Sequence, residues 1–159
     1  MLELDTAPLR VEQRGSLGLL TLDAPKSLNA LSLETIRALD AALRRWADDD
    51  GVACVLLQSS SDKAFCAGGD VRGLRAACLA HDGPAPNASA LQFFGEEYRL
   101  DHRIHTYTKP IVVWGGGIVM GGGVGLLAGA SHRVVSETSR IAMPEVGIGL
   151  FPDVGGSWF

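Results

Sequence analysis

The sequence predicts an α/β domain, and three observations carry that prediction. Nearly half of the 159 residues are apolar, 47%, enough for a buried core in one domain. Continuous apolar runs such as "VACVLLQS" (52–59) alternate with stretches of helical periodicity. The 20 glycines cluster where strands give way to helices, at "AGGD" (67–70) and "GGGIVMGGGVG" (115–125). Clustered glycine outside a low-complexity tract marks backbone that turns tightly or approaches something closely.

Each element follows from local pattern. Residues 11–23, "VEQRGSLGLLTLD", read as a hairpin about an Arg-Gly-Ser turn, with a weak first arm. "APKSLNALS" is a loop. Ser32 caps a helix from Leu33 to about Asp49, with Leu33, Ile36, Leu39, Leu43 and Trp46 as its apolar stripe. Residues 52–59 are a buried strand. "SSDKAFCAGGD" is read as a loop, and Asp70 opens a short helix to about Leu79. Residues 80–89 form a polar loop, and 91–107 a helix. "KPIVVWGGG" is a strand that breaks into glycines. Residues 121–130 form a helix of small residues, and "HRVVSET" and "RIAMPE" are two short strands. The order is β-β-α-β-α-α-β-α-β-β, an α/β succession. The apolar ending "GGSWF", with no closing helix, predicts that residues 1–159 are the N-terminal part of one domain whose C-terminal part is missing.

Composition narrows the function classes. The net charge is −4, and no basic patch interleaved with aromatics points to nucleic acid. Apolar runs are too short to span a bilayer. "MLELDTAPLR" has an early acid and no apolar core, so neither a secretory signal nor an Arg-rich transit peptide is expected. Cys54, Cys66 and Cys78 form no CxxC pair and read as reduced thiols, so a cytoplasmic location is expected. His102 and His105 share a helix, but no acid lies at metal spacing. Surface or core histidines, with no metal, are expected.

Two glycine-bearing turns follow strands and precede helices. Free backbone N–H groups there, aided by the helix dipole, suit a developing negative charge. Two converging donors would form an oxyanion hole; losing one such donor costs about 10²–10³ in rate. Gly123, Gly125 and Ala128 also fit a G-x-G-x-x-A dinucleotide fingerprint, but late in the chain and behind two helices. Small residues for close helix packing are a third reading. Glu145 and Asp153 each follow a proline in apolar surroundings, where a carboxyl serves acid–base or nucleophilic work. A turn or cap role competes, more strongly for Asp153. Of Glu96 and Glu97, the pattern leaves open which faces inward.

"DKAFCAGGD", "KPIVVWGGGIVMGGGVGL" and "AMPEVGIGLFPDVGG", in that order, resemble the crotonase (enoyl-CoA hydratase/isomerase) superfamily. "MGGGVGL" with "MPEVGIGLFPDVGG" is most similar to its 3-hydroxyisobutyryl-CoA hydrolase branch. The resemblance runs from "PKSLNALS" onward. It implies a crotonase-like ββα spiral and an oxyanion hole from the Gly69 and Gly122 N–H groups. It places Lys26, Leu28, Ala30 and Ala67 beside the CoA. In hydratases of the family one catalytic glutamate stands at position 125 and a second at position 145. Gly125 here puts hydration in doubt. In the hydrolase branch the acids matching Glu145 and Asp153 act together, and the one matching Glu97 contacts the hydroxyacyl group. The resemblance thus implies hydrolysis of a short β-hydroxyacyl-CoA, such as 3-hydroxyisobutyryl-CoA of valine breakdown. Coenzyme A enters only as part of the substrate, and no other cofactor is expected. Expected partners are the acyl-CoA and either further copies of the chain or a complementary C-terminal segment. Two rivals remain: a hydratase or isomerase on the same fold, and a non-catalytic acyl-CoA-binding subunit.

Overall fold

A computed structural model describes residues 8–158. Strands β1 (Leu9–Arg14) and β2 (Leu17–Leu22) form the hairpin. It turns on Gly15, whose φ of +60° suits glycine. Helix α1 (Leu33–Ala47) begins at Ser32, whose hydroxyl accepts from the Thr35 N–H at 3.1 Å. Its stripe packs as the spacing predicts: Ile36, Leu39, Leu43 and Trp46 are at most 2% exposed. Leu33 is only partly buried against that core.

The rest of the chain repeats one device. β3 (Cys54–Ser59), β5 (Ile111–Trp114) and β7 (His132–Val134) join β2 in parallel, giving a five-stranded sheet ordered β1-β2-β3-β5-β7. After each of β3, β5 and β7 the chain crosses to a second sheet. There β4 (Ala64–Cys66), β6 (Ile118–Met120) and β8 (Arg140–Ala142) pair in parallel, in the order β4-β6-β8. Each small strand then leads into a helix or helical turn: α2 (Val71–Leu79) and α3 (Ala88–His105) after β4, α4 (Gly122–Ala128) after β6, and a 3₁₀ turn (Glu145–Ile148) after β8. One coil is therefore strand, strand, helix, and successive coils stack side by side.

The expected α/β succession holds, with two omissions. β4 was expected within a loop, and β6 within the glycine break after β5. Three residues are too few to show a period, and glycine flanks both runs. Their extended form comes from pairing in the second sheet, a tertiary effect. α3 also starts at Ala88, earlier than expected, because Asn87 caps it by accepting from the Ala90 N–H at 3.1 Å.

The loop between β2 and α1 is fixed by Asn29, 2% exposed. Its carbonyl oxygen accepts from the Ala24 N–H at 2.8 Å. Its amide nitrogen lies 2.8 Å from the Ser59 hydroxyl, 3.2 Å from the Ala64 carbonyl and 3.0 Å from the Phe65 carbonyl. It thereby ties the loop to β3 and β4. Asn29→Ala is expected to lower unfolding free energy by about 1–3 kcal/mol, because buried backbone groups lose their partner. The midpoint of a urea titration reads this directly.

Candidate active site

The pairing of β4 with β6 sets two glycine turns side by side. Gly68 has φ +101° and Gly121 has φ +52°, both left-handed conformations that favour glycine. A Cβ on Gly68 would lie 3.0 Å from the Met120 carbonyl oxygen and 3.5 Å from the Gly122 nitrogen. Gly69 forms a parallel bridge with Leu31: Leu31 N–H donates to the Gly68 carbonyl at 2.8 Å, and Asp70 N–H to the Leu31 carbonyl at 2.9 Å. In such a bridge the N–H of Gly69 itself points away from Leu31. Gly122 opens α4, where the first N–H groups lack intrahelical partners.

Five residues singled out in the sequence line one narrow cleft of about 50 Å³: Gly69, Glu97, Gly122, Glu145 and Asp153. Glu97 answers the question left open by the adjacent acids of α3. It is buried, at 3% exposure. Glu96 faces outward and holds Arg37 through two 2.7 Å contacts. Glu97 Oε1 packs over the first turn of α4, in contact range of where a Gly122 side chain would begin. Burial, then the charges of Asp153 and Glu145, push its carboxyl up to about 8. Glu97 is therefore protonated at neutral pH and able to donate a hydrogen bond.

Glu145 starts the 3₁₀ turn after Pro144 and is buried, at 8% exposure. Its Oε1 lies 2.7 Å from where a Gly121 Cβ would stand, and its Oε2 has no partner among the described residues. Asp153 accepts a hydrogen bond from the Tyr98 hydroxyl at 2.6 Å. Its own carbonyl accepts from the Gly156 N–H at 2.7 Å, so Asp153 also forms the turn that its sequence suggested. Burial and the Asp153 carboxylate raise the Tyr98 phenol above its usual range.

Lys26, Leu28, Ala30 and Ala67 do not line this cleft. They lie on the adjoining loop and strand end, where Ala67 N–H donates to the Leu28 carbonyl at 3.0 Å. Lys26 is exposed. Cys66 is buried, and burial pushes its thiol up to about 12, so it is an inert packing residue. The dinucleotide reading of Gly123, Gly125 and Ala128 does not fit the structure. All three lie within α4, and a Cβ on Gly123 would strike the Cys66 carbonyl oxygen of β4. Those glycines serve packing, whereas Gly68 and Gly121 serve the turns. Among the described residues no group of three or more His, Cys, Asp or Glu is placed to hold a metal. No described helix is long and apolar enough to cross a membrane. Two residues at the site escaped sequence reasoning, Tyr98 and Asp101. The only signal for Asp101 was its place one turn after Glu97 on the same helix.

Residues 17–159 match the family model for enoyl-CoA hydratase/isomerase, and the chain belongs to that family. Within it, the chain is 47% identical over 148 residues to the mitochondrial 3-hydroxyisobutyryl-CoA hydrolase of Danio rerio, covering 93% of this chain and 37% of that protein. It is 44% identical over 149 residues to the Homo sapiens protein of the same name, covering 94% and 37%. The chain thus spans less than two fifths of the length of these relatives. Among solved structures, an enoyl-CoA hydratase from Rhodobacter sphaeroides superposes with a TM-score of 0.90 at 43% identity, covering 95% of this chain and 44% of that one. A carnitinyl-CoA dehydratase from Mycobacterium thermoresistibile gives 0.89 at 44% identity, covering 96% and 43%.

Proposed function

We propose that the cleft hydrolyses the thioester of a short β-hydroxyacyl-CoA, such as 3-hydroxyisobutyryl-CoA of valine breakdown. The observation that carries this reading is the gathering of Glu97, Glu145 and Asp153 beside two adjacent glycine turns, with no acid at Gly125. The thioester oxygen lies between the Gly69 and Gly122 N–H groups, which stabilise the oxyanion as the carbonyl carbon becomes tetrahedral. Glu145 either removes a proton from an attacking water or attacks the carbonyl itself. By either route a new C–O bond forms, the C–S bond breaks, and the CoA sulfur leaves with the bonding pair and is protonated. The anhydride left by direct attack is opened by water in a second step. Asp153, held by Tyr98, orients the water or passes the proton. Glu97, protonated, holds the β-hydroxyl of the substrate. Lys26, Leu28, Ala30 and Ala67 border the CoA on the neighbouring loop. The chemistry asks for no metal or redox group, and the free cysteines suit a reducing compartment such as the cytoplasm.

A hydratase or isomerase is the second reading, because two structural neighbours at 43–44% identity are named a hydratase and a dehydratase. Incubation with 3-hydroxyisobutyryl-CoA and, separately, with crotonyl-CoA distinguishes the two. Release of free CoA thiol from the first substrate is expected. Loss of the crotonyl double bond without thiol release would transfer the assignment to hydration. Tight CoA binding with neither reaction would leave a binding subunit.

A further inference from the structure

Asp101 is a half-buried acid, with a shielded carboxyl, that the proposed reaction does not use. It lies on α3 one turn beyond Glu97, and both of its carboxyl oxygens are shielded from solvent with no hydrogen-bond partner among the described residues. Its Oδ1 is 2.9 Å from where a Gly125 Cβ would stand, and Val154 Cβ is 2.7 Å from the same point. Asp101, Asp153, Val154, Gly125 and Tyr98 line one cavity of about 520 Å³, and Asp153 lines both this cavity and the cleft. Val154 takes φ +45°, which a β-branched residue adopts only where its surroundings hold it. The carboxyl therefore fills the space beside α4 that glycine leaves open, directly behind the turn that carries Asp153.

We propose that Asp101 is a positioning residue of the carboxylate site: an uncharged carboxyl between Gly125 and the Asp153–Val154 turn, which lets Glu97 and Asp153 stand close together by adding no further charge behind them. The charged or titratable groups facing it are Glu97, Tyr98, His102 and His105 of its own helix, Asp153 of the turn and the buried Cys66 thiol of β4. α4 brings none, since Gly122–Ala128 reads "GGVGLLA". Burial, and then the repulsion that ionised Glu97 and Asp153 would exert, raises the Asp101 carboxyl to about 8, in keeping with an uncharged state at neutral pH. Ionisation above that point would place a new negative charge against Asp153 and the oxyanion developing nearby.

The test is the unfolding free energy of the chain between pH 4 and 8, for the parent and for Asp101→Asn. The sign follows from linkage. In the folded chain Asp101 keeps its proton to about 8, whereas the unfolded chain releases it near 4. The folded state thus binds more protons in that window, and stability falls as pH rises. Asparagine cannot ionise, so the variant's slope is expected to be shallower by about one proton. Equal slopes overturn the proposal. Should the variant not fold, carbon NMR of the parent's carboxyl groups decides. The Asp101 carboxyl is expected to titrate well above the ordinary carboxylate range, and an ordinary titration overturns the proposal. The kinetic arm rests on the hydrolase reading: Glu97 loses its proton in both proteins as pH rises past about 8, and the parent's kcat is expected to decline more steeply than that of Asp101→Asn. A parent decline that persists unchanged in the variant also overturns the proposal. Absence of thiol release from both proteins at every pH would count against the hydrolase reading, while the slope and the titration still decide the state of Asp101.

Discussion

Replacing Glu145 with glutamine is expected to lower kcat for thioester cleavage by about 10²–10⁴-fold, the usual worth of a positioned acid or base. The Glu145 side chain is buried and touches the Gly121 turn, and its Oε2 has no partner among the described residues. An oxygen left unpaired in a narrow cleft is a structural cost, and it is free to hold a water or meet a carbonyl carbon. Glutamine keeps the size and removes both basicity and nucleophilicity. KM is expected to change by less than about threefold, because a loss confined to the transition state lowers kcat and kcat/KM together. The melting temperature is expected to hold or rise, since the variant no longer buries that acid beside Glu97. Thiol release under saturating substrate reads the rate. Undiminished hydrolysis by the variant would sink the assignment of Glu145, whichever of its two chemical roles is correct.

How much of this was legible in the sequence depended on the range of the forces involved. Helix α1 was read from its periodicity and its serine cap, both local. β3 and β5 were read from continuous apolar runs, and β1 and β2 from the turn between them. β4 and β6 were not legible, because their extended form exists only through pairing between residues about 50 positions apart. The same pairing brings Gly69 to Gly122, so the cleft became visible in sequence only through resemblance to known motifs. Residue patterns alone could not rank Glu96 against Glu97. The structure ranks them through Arg37, a partner on α1 that no spacing rule points to. Asn29 shows the same limit: its partners lie on β3, on β4 and in its own loop, and a loop asparagine ordinarily signals only a turn.

Gly125→Glu would supply the acid that the sequence resemblance associates with hydration, yet it is expected to destabilise the chain and confer no hydration of crotonyl-CoA. The Cβ alone would stand 2.7 Å from Val154 Cβ and 2.9 Å from Asp101 Oδ1, closer than unbonded atoms approach. Neither neighbour moves cheaply. Val154 is 8% exposed and held at φ +45°, and the Asp101 carboxyl is shielded on both oxygens. Overpacking of this kind costs about 1–3 kcal/mol before charge is counted. A new carboxyl beside Asp101, Glu97 and Asp153 then adds either like-charge repulsion or another buried proton. A total of about 3–5 kcal/mol is expected, which for a chain of this length lowers Tm by roughly 10 °C or more. Gly125→Ala isolates the steric part and is expected to show a smaller loss, without the extra pH dependence that the glutamate brings. The displaced Val154 carries Asp153 with it, so thioester cleavage is expected to fall as well. A Gly125→Glu variant that melts with the parent and hydrates crotonyl-CoA would show that Asp101 and Val154 do not close this space. On the packing seen here an acid at position 125 is opposed by two neighbours, Val154 and Asp101, and neither gives way without cost.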